Sequence, residues 1–251
     1  MIIDTRLVMG MPITVALATN FNEHANKIVD DVYNYFQYID NKFSVYKKDS
    51  EISKINRGEI QNLNFSSDMQ QIFLLAEQTK QMTDGYFDIR NNSGLLDPSG
   101  IVKGWSIYKA SKIIRDAGYN NFYINAGGDV EVGGLNEKNE KWKIGIENPF
   151  KQGEVVKTVY LTNCGIATSG TYIRGQHIYN PNSRDESIQE IKSLTVIGPN
   201  VYEADRFATP AFAMGSYGIN FIEKQKDLEG YIIDNKGVAT MTSGFEKFID
   251  I

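Results

Sequence analysis

Cysteine is nearly absent: Cys164 stands alone in 251 residues. That excludes a disulfide framework and a Cys-rich zinc or iron–sulfur centre within one chain, and Cys164 reads as a small core residue. Histidine is almost as scarce, with only His24 and His177, so chemistry needing several imidazoles is excluded as well. No stretch approaches eighteen consecutive apolar residues, which removes a membrane-spanning helix. Runs of Lys or Arg are missing too, the net charge is -5 and the pI is about 5.2, so nucleic acid and anionic lipid surfaces are poor partners. The opening MIIDTRLVMGMPITVALATN is interrupted by Asp4 and Arg6 and lacks the pattern of a signal peptide, which leads to an expected cytoplasmic location.

What is present is a hydrophobic content of 41%, enough to bury a proper core in one domain spanning residues 1–251. Residues 7–18 alternate as a strand, and Asn22 opens a helical pattern with Ile28, Val32, Phe36, Ile39 and Phe43 on one stripe. FSVYKKDSEISKIN, from Phe43, reads as a polar connection. Ser67 with Gln70 forms a capping-box pattern ahead of a second helix that closes near Asp84 and Gly85. A third helix is expected from about Trp105 to Ala117, stopped by Gly118. Strands follow over 121–133, 141–147, 155–161, 175–180 and 192–198, then short helices in EADRFATPAFAMG and INFIEKQK and a closing hairpin in GYIIDNKGVATMTSGF. Helices unevenly mixed with largely antiparallel strands indicate an α+β fold, with two interleaved lobes as one arrangement of it.

Several polar groups stand beside small residues. In NFYINAGGDVEVGG, Gly127 and Gly128 make either a simple hairpin with φ > 0, or side-chain-free backbone where a phosphate comes close, flanked by Asn125 and Asp129. DGYFDI offers Tyr86 and Phe87 to cover a planar ring and Asp88 to accept hydrogen bonds, or it is a helix stop leading into a strand. LDPSGIVKGW places Asp97 and Lys103 around a helix start, an anion site or a solvated loop. TSGTYIRGQHIYNP holds His177, which could relay a proton or be structural, whereas His24 lies on a polar helix face. In EADRFATP, Asp205 and Thr209 are four apart, two hard oxygen donors on one helical face that suit Mg²⁺ better than zinc, or a helix cap with an ordinary Thr.

Seven pieces in order, MGMP, FSVYKKDSEISKIN, DGYFDI, DPSGIVKGW, INAGGDV, IATSGTYIRGQHIYNP and ADRFATPAFAMG, resemble the FAD:protein FMN transferase (ApbE) family nearly from end to end. The resemblance implies an α+β ApbE-like fold and a Mg²⁺-dependent transfer of FMN from FAD to a Thr or Ser hydroxyl of a target flavoprotein, releasing AMP. It also leaves room for an FAD pyrophosphatase, giving FMN and AMP, and for a non-catalytic FAD-binding protein. By the matching motifs, Met9, Tyr46, Tyr86, Phe87, Asp88, Asp97, Lys103 and Ile178 would contact FAD. Asp205 and Thr209 would ligand the metal, with the Gly100 carbonyl completing its protein ligands. His177 or Asp205 would take the nucleophile's proton, His177 ranking slightly first. The chain departs from the family's common pattern at Tyr108, Asn180 and Ser183, and at Arg206 and Pro210, which are expected to interrupt the ADRFAT helix.

Overall fold

The computed structural model describes residues 1–91, 93–170, 180–182 and 188–249. Its frame is an eight-stranded antiparallel sheet in the order β1-β2-β3-β4-β7-β8-β9-β10, with β5 and β6 forming a separate hairpin. The first strand expected over 7–18 is instead a hairpin of β1 (Ile2–Val8) and β2 (Met11–Leu17). It folds back because Met9 and Gly10 both take left-handed backbone, at φ 55° and 72°, the conformation a two-residue hairpin turn requires.

The pair β3 (Phe122–Ala126) and β4 (Asp129–Gly133) makes the same kind of turn through Gly127 and Gly128, at φ 60° and 99°. Asn125 Oδ1 accepts the Gly128 N–H at 2.9 Å and braces that turn. A Cβ on Gly127 would lie 2.9 Å from Met11 Sδ, so the two turns are packed side by side. Val130 and Val132 point toward the β5 (Trp142–Glu147) and β6 (Val155–Leu161) hairpin and share its core with Trp142, Ile144, Val159 and Leu161. Asp129 and Glu131, on the opposite face of β4, point into the helical layer, so β4 is buried on both faces.

Helix α1 (Glu23–Phe43) is capped by Asn22, whose side chain accepts the Ala25 N–H, and it buries the expected stripe of Ile28, Val32, Phe36, Ile39 and Phe43. The expected polar connection contains α2 (Glu51–Asn56), nucleated by Ser50, whose hydroxyl accepts the Ser53 N–H. In α3 (Ser67–Met82) the cap is Ser66, one residue before the expected box, because the Ser66 hydroxyl accepts the Met69 N–H. Helix α4 (Ser99–Asp116) begins six residues before the expected Trp105. Its interior Gly104 is tolerated because α5 (Val201–Ala213) presses against it: a Cβ there would meet the Asp205 Cβ at 2.6 Å.

Strand β7 (Cys164–Gly170), between β4 and β8 (Ile191–Gly198), was not expected, since CGIATSG has little β-branched content; sheet pairing on both sides overrides composition. Of the strand expected over 175–180, residues 175–179 lie outside the described residues and Asn180 is not in a strand. Helix α5 (Val201–Ala213) runs on through Arg206 and Pro210, contrary to the expected interruption. Pro210 removes only the N–H that would serve the Arg206 carbonyl. Arg206 turns away to pair with Glu203 at 2.7 Å and stack on Tyr202 and Phe207. α6 (Gly218–Glu223) and the closing hairpin of β9 (Glu229–Asp234) and β10 (Ala239–Met241) complete the chain as expected. Among the described residues, no helix is long and apolar enough to cross a membrane.

Candidate functional site at the α4–α5 crossing

The antiparallel order places the Met9–Gly10 turn, the Gly127–Gly128 turn and the C-terminal end of β7 at one end of the sheet. The helices α4 and α5 cross against β4 and β7 there, and contacts at two glycines decide how closely. A Cβ at Gly104 would also lie 2.9 Å from the Val201 carbonyl oxygen, and one at Gly165 would lie 1.9 Å from the Val201 N. Both glycines are therefore required by close backbone approach rather than by φ.

That approach brings three charged groups together. Lys103 Nζ lies 2.6 Å from Asp129 Oδ2 and 3.8 Å from Asp205 Oδ1, with both carboxylates almost fully buried. Asp205 Oδ2 accepts the Gly104 N–H at 2.8 Å, the N–H that an ideal helix directs at the Gly100 carbonyl. Burial pushes the Asp205 carboxyl above its ordinary range, the neighbouring Asp129 adds to this, and Lys103 opposes it. Asp129 Oδ1 also accepts the Thr168 N–H at 3.2 Å, just beyond the last β4–β7 pair.

One turn along α5, Thr209 Oγ1 lies 3.4 Å from Ser169 Oγ, and its methyl group would lie 3.9 Å from a Cβ on Gly100. The Phe87 ring covers the same point at 3.2 Å and is itself buried. Phe87 is set by Thr83, whose hydroxyl accepts its N–H at 3.2 Å. Gly100, Lys103, Asp205, Thr209 and Phe87 thus form one neighbourhood, with Asp129, Thr168 and Ser169 on its floor. Asp97 sits at the entrance to α4, where its Oδ1 accepts the Ser99 N–H at 3.0 Å. Both Asp88 oxygens are engaged, by Lys80 Nζ at 2.7 Å and the Arg90 N–H at 2.8 Å, and Tyr86 beside it is half-buried.

Met9 packs half-buried against the core under α1 and α4 and against the core around α3. Tyr46 is 95% exposed between α1 and α2 and takes no part in the charged cluster. His177 and Ile178 lie outside the described residues. Asn180 accepts the Asn182 N–H at 2.9 Å, and Asn182 Nδ2 reaches the Asp84 carbonyl at 3.4 Å, which sets NPN beside DGYFDI.

Sequence reasoning did not single out Gly104, Ser169 or Glu131. Glu131 Oε2 accepts the Val201 N–H, the first of α5, at 2.6 Å, and Oε1 lies 3.6 Å from Arg115. Burial pushes its carboxyl up to about 8 against the pull of those two partners. An acid two residues from Asp129 between two valines is the signal that would have found it.

The model of the ApbE family matches residues 9–93 and 90–232. This chain belongs to the ApbE family. Its matched residues contain every element of the α4–α5 crossing. Among ApbE relatives, an FAD:protein FMN transferase of Haemophilus influenzae is 22% identical over 292 aligned residues, covering 90% of this chain and 84% of that protein. One of Vibrio cholerae is 30% identical over 129 residues, covering 48% of this chain and 39% of that protein. The ApbE protein of Thermotoga maritima superimposes with a TM-score of 0.88 at 19% identity, over 100% of this chain and 99% of that one. The flavin transferase ApbE of Vibrio cholerae gives 0.85 at 20% identity, over 98% of each chain. At those identities the likeness is one of fold, and the α+β architecture is that of the ApbE structures.

Proposed function

We propose that the chain works as one domain that transfers FMN from FAD to a Ser or Thr hydroxyl of a target flavoprotein, with Mg²⁺, and releases AMP. The observation that carries this reading is the convergence of Lys103, Asp205, Thr209 and Gly100 at the first turns of α4, in an ApbE-family chain whose relatives bear the name FAD:protein FMN transferase.

The donor set suits Mg²⁺. Asp205 carboxylate, Thr209 hydroxyl and Gly100 carbonyl are hard oxygens, the donor type that Mg²⁺ prefers. Bound there, Mg²⁺ would supply charge neutralisation for the pyrophosphate.

The chain's own groups divide the remaining work. Lys103, anchored by Asp129, offers its ammonium to phosphate oxygens beside the N-terminus of an eighteen-residue helix. Phe87 packs over Gly100, and Tyr86, Met9, Asp88, Asp97, Tyr46 and Ile178 are assigned to the flavin nucleotide. The acceptor hydroxyl oxygen bonds to the phosphorus of the FMN half, the P–O bond to the AMP half breaks, and AMP leaves with the bonding pair. The hydroxyl proton passes to His177; Asp205, enclosed by Gly104 and Lys103, is better suited to hold the ion. Removing one such electrostatic partner typically costs about 10²–10³ in rate. Asp205→Asn is expected to lower Mg²⁺-dependent AMP release by that order while FAD still quenches protein fluorescence on binding. AMP release at the parent rate in that variant would refute the assignment.

A further inference from the structure

Among the described residues, β1 is the outermost strand of the sheet and pairs with β2 alone, which leaves one side of its backbone open there. The two-residue turn at Met9–Gly10 makes Val8 and Met11 a hydrogen-bonded closing pair. By alternation, Arg6, Asp4 and Ile2 then also bond toward β2, while the N–H and C=O groups of Leu7, Thr5 and Ile3 face outward. Tyr33 agrees with this parity, since its one hydroxyl proton is shared by the Asp4 carbonyl at 2.8 Å and the Ile13 carbonyl at 2.9 Å between the two strands. The open strand is seven residues long and unusually apolar for an edge, with Ile3 59% and Leu7 79% exposed. No proline, bulge or lysine interrupts it, and its two charges, Asp4 and Arg6, already neutralise each other.

We propose that this edge is the contact by which two copies of the chain form a symmetric dimer, β1 against β1 in antiparallel register centred on Thr5. The sequence IIDTRLV is self-complementary in that register. Ile2 meets the partner's Val8, Ile3 meets the partner's Leu7, Asp4 meets the partner's Arg6, and Thr5 meets the partner's Thr5. Outward-bonding residues must oppose outward-bonding residues, so the next registers allowed are shifted by two. A shift one way puts Asp4 opposite the partner's Asp4, and the other way puts Arg6 opposite the partner's Arg6; like charges directly opposed are unfavourable. Only the Thr5-centred register pairs every side chain with its complement. Asp4 and Arg6 already lie 2.8 Å apart on one face, with Arg6 also 2.6 Å from Asp30, so the two copies would interleave their charges along one face of the joint sheet. The exposed Ile3 and Leu7 would be covered on the other face. A cleft of about 450 Å³ between β1 and α1, lined by Ile2, Asp4, Arg6, Phe21, Val29 and Asp30, would receive the partner's Val8 beside Ile2. Antiparallel pairing points the two α4–α5 sites in opposite directions, so each stays open to a protein substrate.

Light scattering on the size-separated full chain, over a concentration series, tests this. The expected mass is twice 28.3 kDa for the parent and 28.3 kDa for both Leu7→Lys and Asp4→Arg. Combining Asp4→Arg, Arg6→Asp and Asp30→Lys exchanges the charges while keeping position 6 paired with position 30, and is expected to restore the dimer. Leu7 is exposed, so Leu7→Lys should fold as the parent does, which circular dichroism confirms independently. A monomeric parent, a dimer indifferent to Leu7→Lys or Asp4→Arg, or a charge exchange that fails to restore association would each overturn the proposal. If an extended peptide from another protein is the true occupant, the parent is monomeric, the first of those outcomes.

Discussion

Lys103 stands between two buried carboxylates, Asp129 at 2.6 Å and Asp205 at 3.8 Å, and its ammonium is what lets them share one corner of the molecule. Replacing it by Met would leave two uncompensated acids in a dry site, a change that typically costs about 3–5 kcal/mol. Lys103→Met is therefore expected to lower the unfolding free energy of the FAD-free protein by that order at pH 7, and by much less at pH 5, where one carboxyl can accept a proton. Urea unfolding at the two pH values reads this, and an equal loss at both would contradict it. Glu131 carries a second pH signature. Its folded value of about 8 lies above the ordinary 4.5, so the stability it contributes is complete below about pH 4.5 and is lost as the pH rises through about 8. The parent should lose up to about 1.4 kcal/mol per pH unit in that window relative to Glu131→Gln. Identical pH slopes for parent and variant would remove Glu131 as the source. At this scale the sequence named Lys103, Asp205 and Thr209, whose residue types announce their chemistry. It was silent on Glu131 and Gly104, whose roles exist only where a strand and two helices meet.

The crossing of α4 and α5 depends on absent side chains. Gly104→Ala would place a methyl group 2.6 Å from the Asp205 Cβ and 2.9 Å from its Oδ2, inside any normal contact. Such overpacking costs about 1–3 kcal/mol, and the helices must part to relieve it. The variant is expected to melt earlier than the parent and to lose most Mg²⁺-dependent AMP release. At Gly100 the new Cβ would meet the Phe87 ring edge at 3.2 Å and the Thr209 methyl at 3.9 Å, contacts that a small ring movement relieves, so Gly100→Ala should melt close to the parent. Equal melting temperatures for parent and Gly104→Ala would contradict the close-packing account. Periodicity made α1 legible because its five apolar residues recur on one stripe. The same reasoning started α4 too late, since SGIVKG carries two glycines that propensity disfavours and that tertiary contact requires. β7 escaped it for the related reason that Gly, Ala, Ser and Thr occupy positions where helix α5 lies against the strand.

Over the whole molecule, the antiparallel order carries the Met9–Gly10 turn, the Gly127–Gly128 turn and the C-terminal end of β7 to one end of a single sheet, where parts of MGMP, INAGGDV and IATSG meet. Their order was legible because each piece is local, whereas the contact between Asn182 and Asp84 and the exposure of Tyr46 are properties of the assembled chain. The chemistry proposed for this end of the sheet is transfer of FMN to a protein hydroxyl. Incubating the chain with FAD, Mg²⁺ and a flavoprotein bearing an exposed Ser or Thr segment, while following AMP together with the acceptor's intact mass, tests it most directly. One AMP is expected for each FMN added covalently to the acceptor, with both lost in Asp205→Asn. AMP accompanied by free FMN and an acceptor of unchanged mass would contradict it and make the chain a hydrolase of FAD.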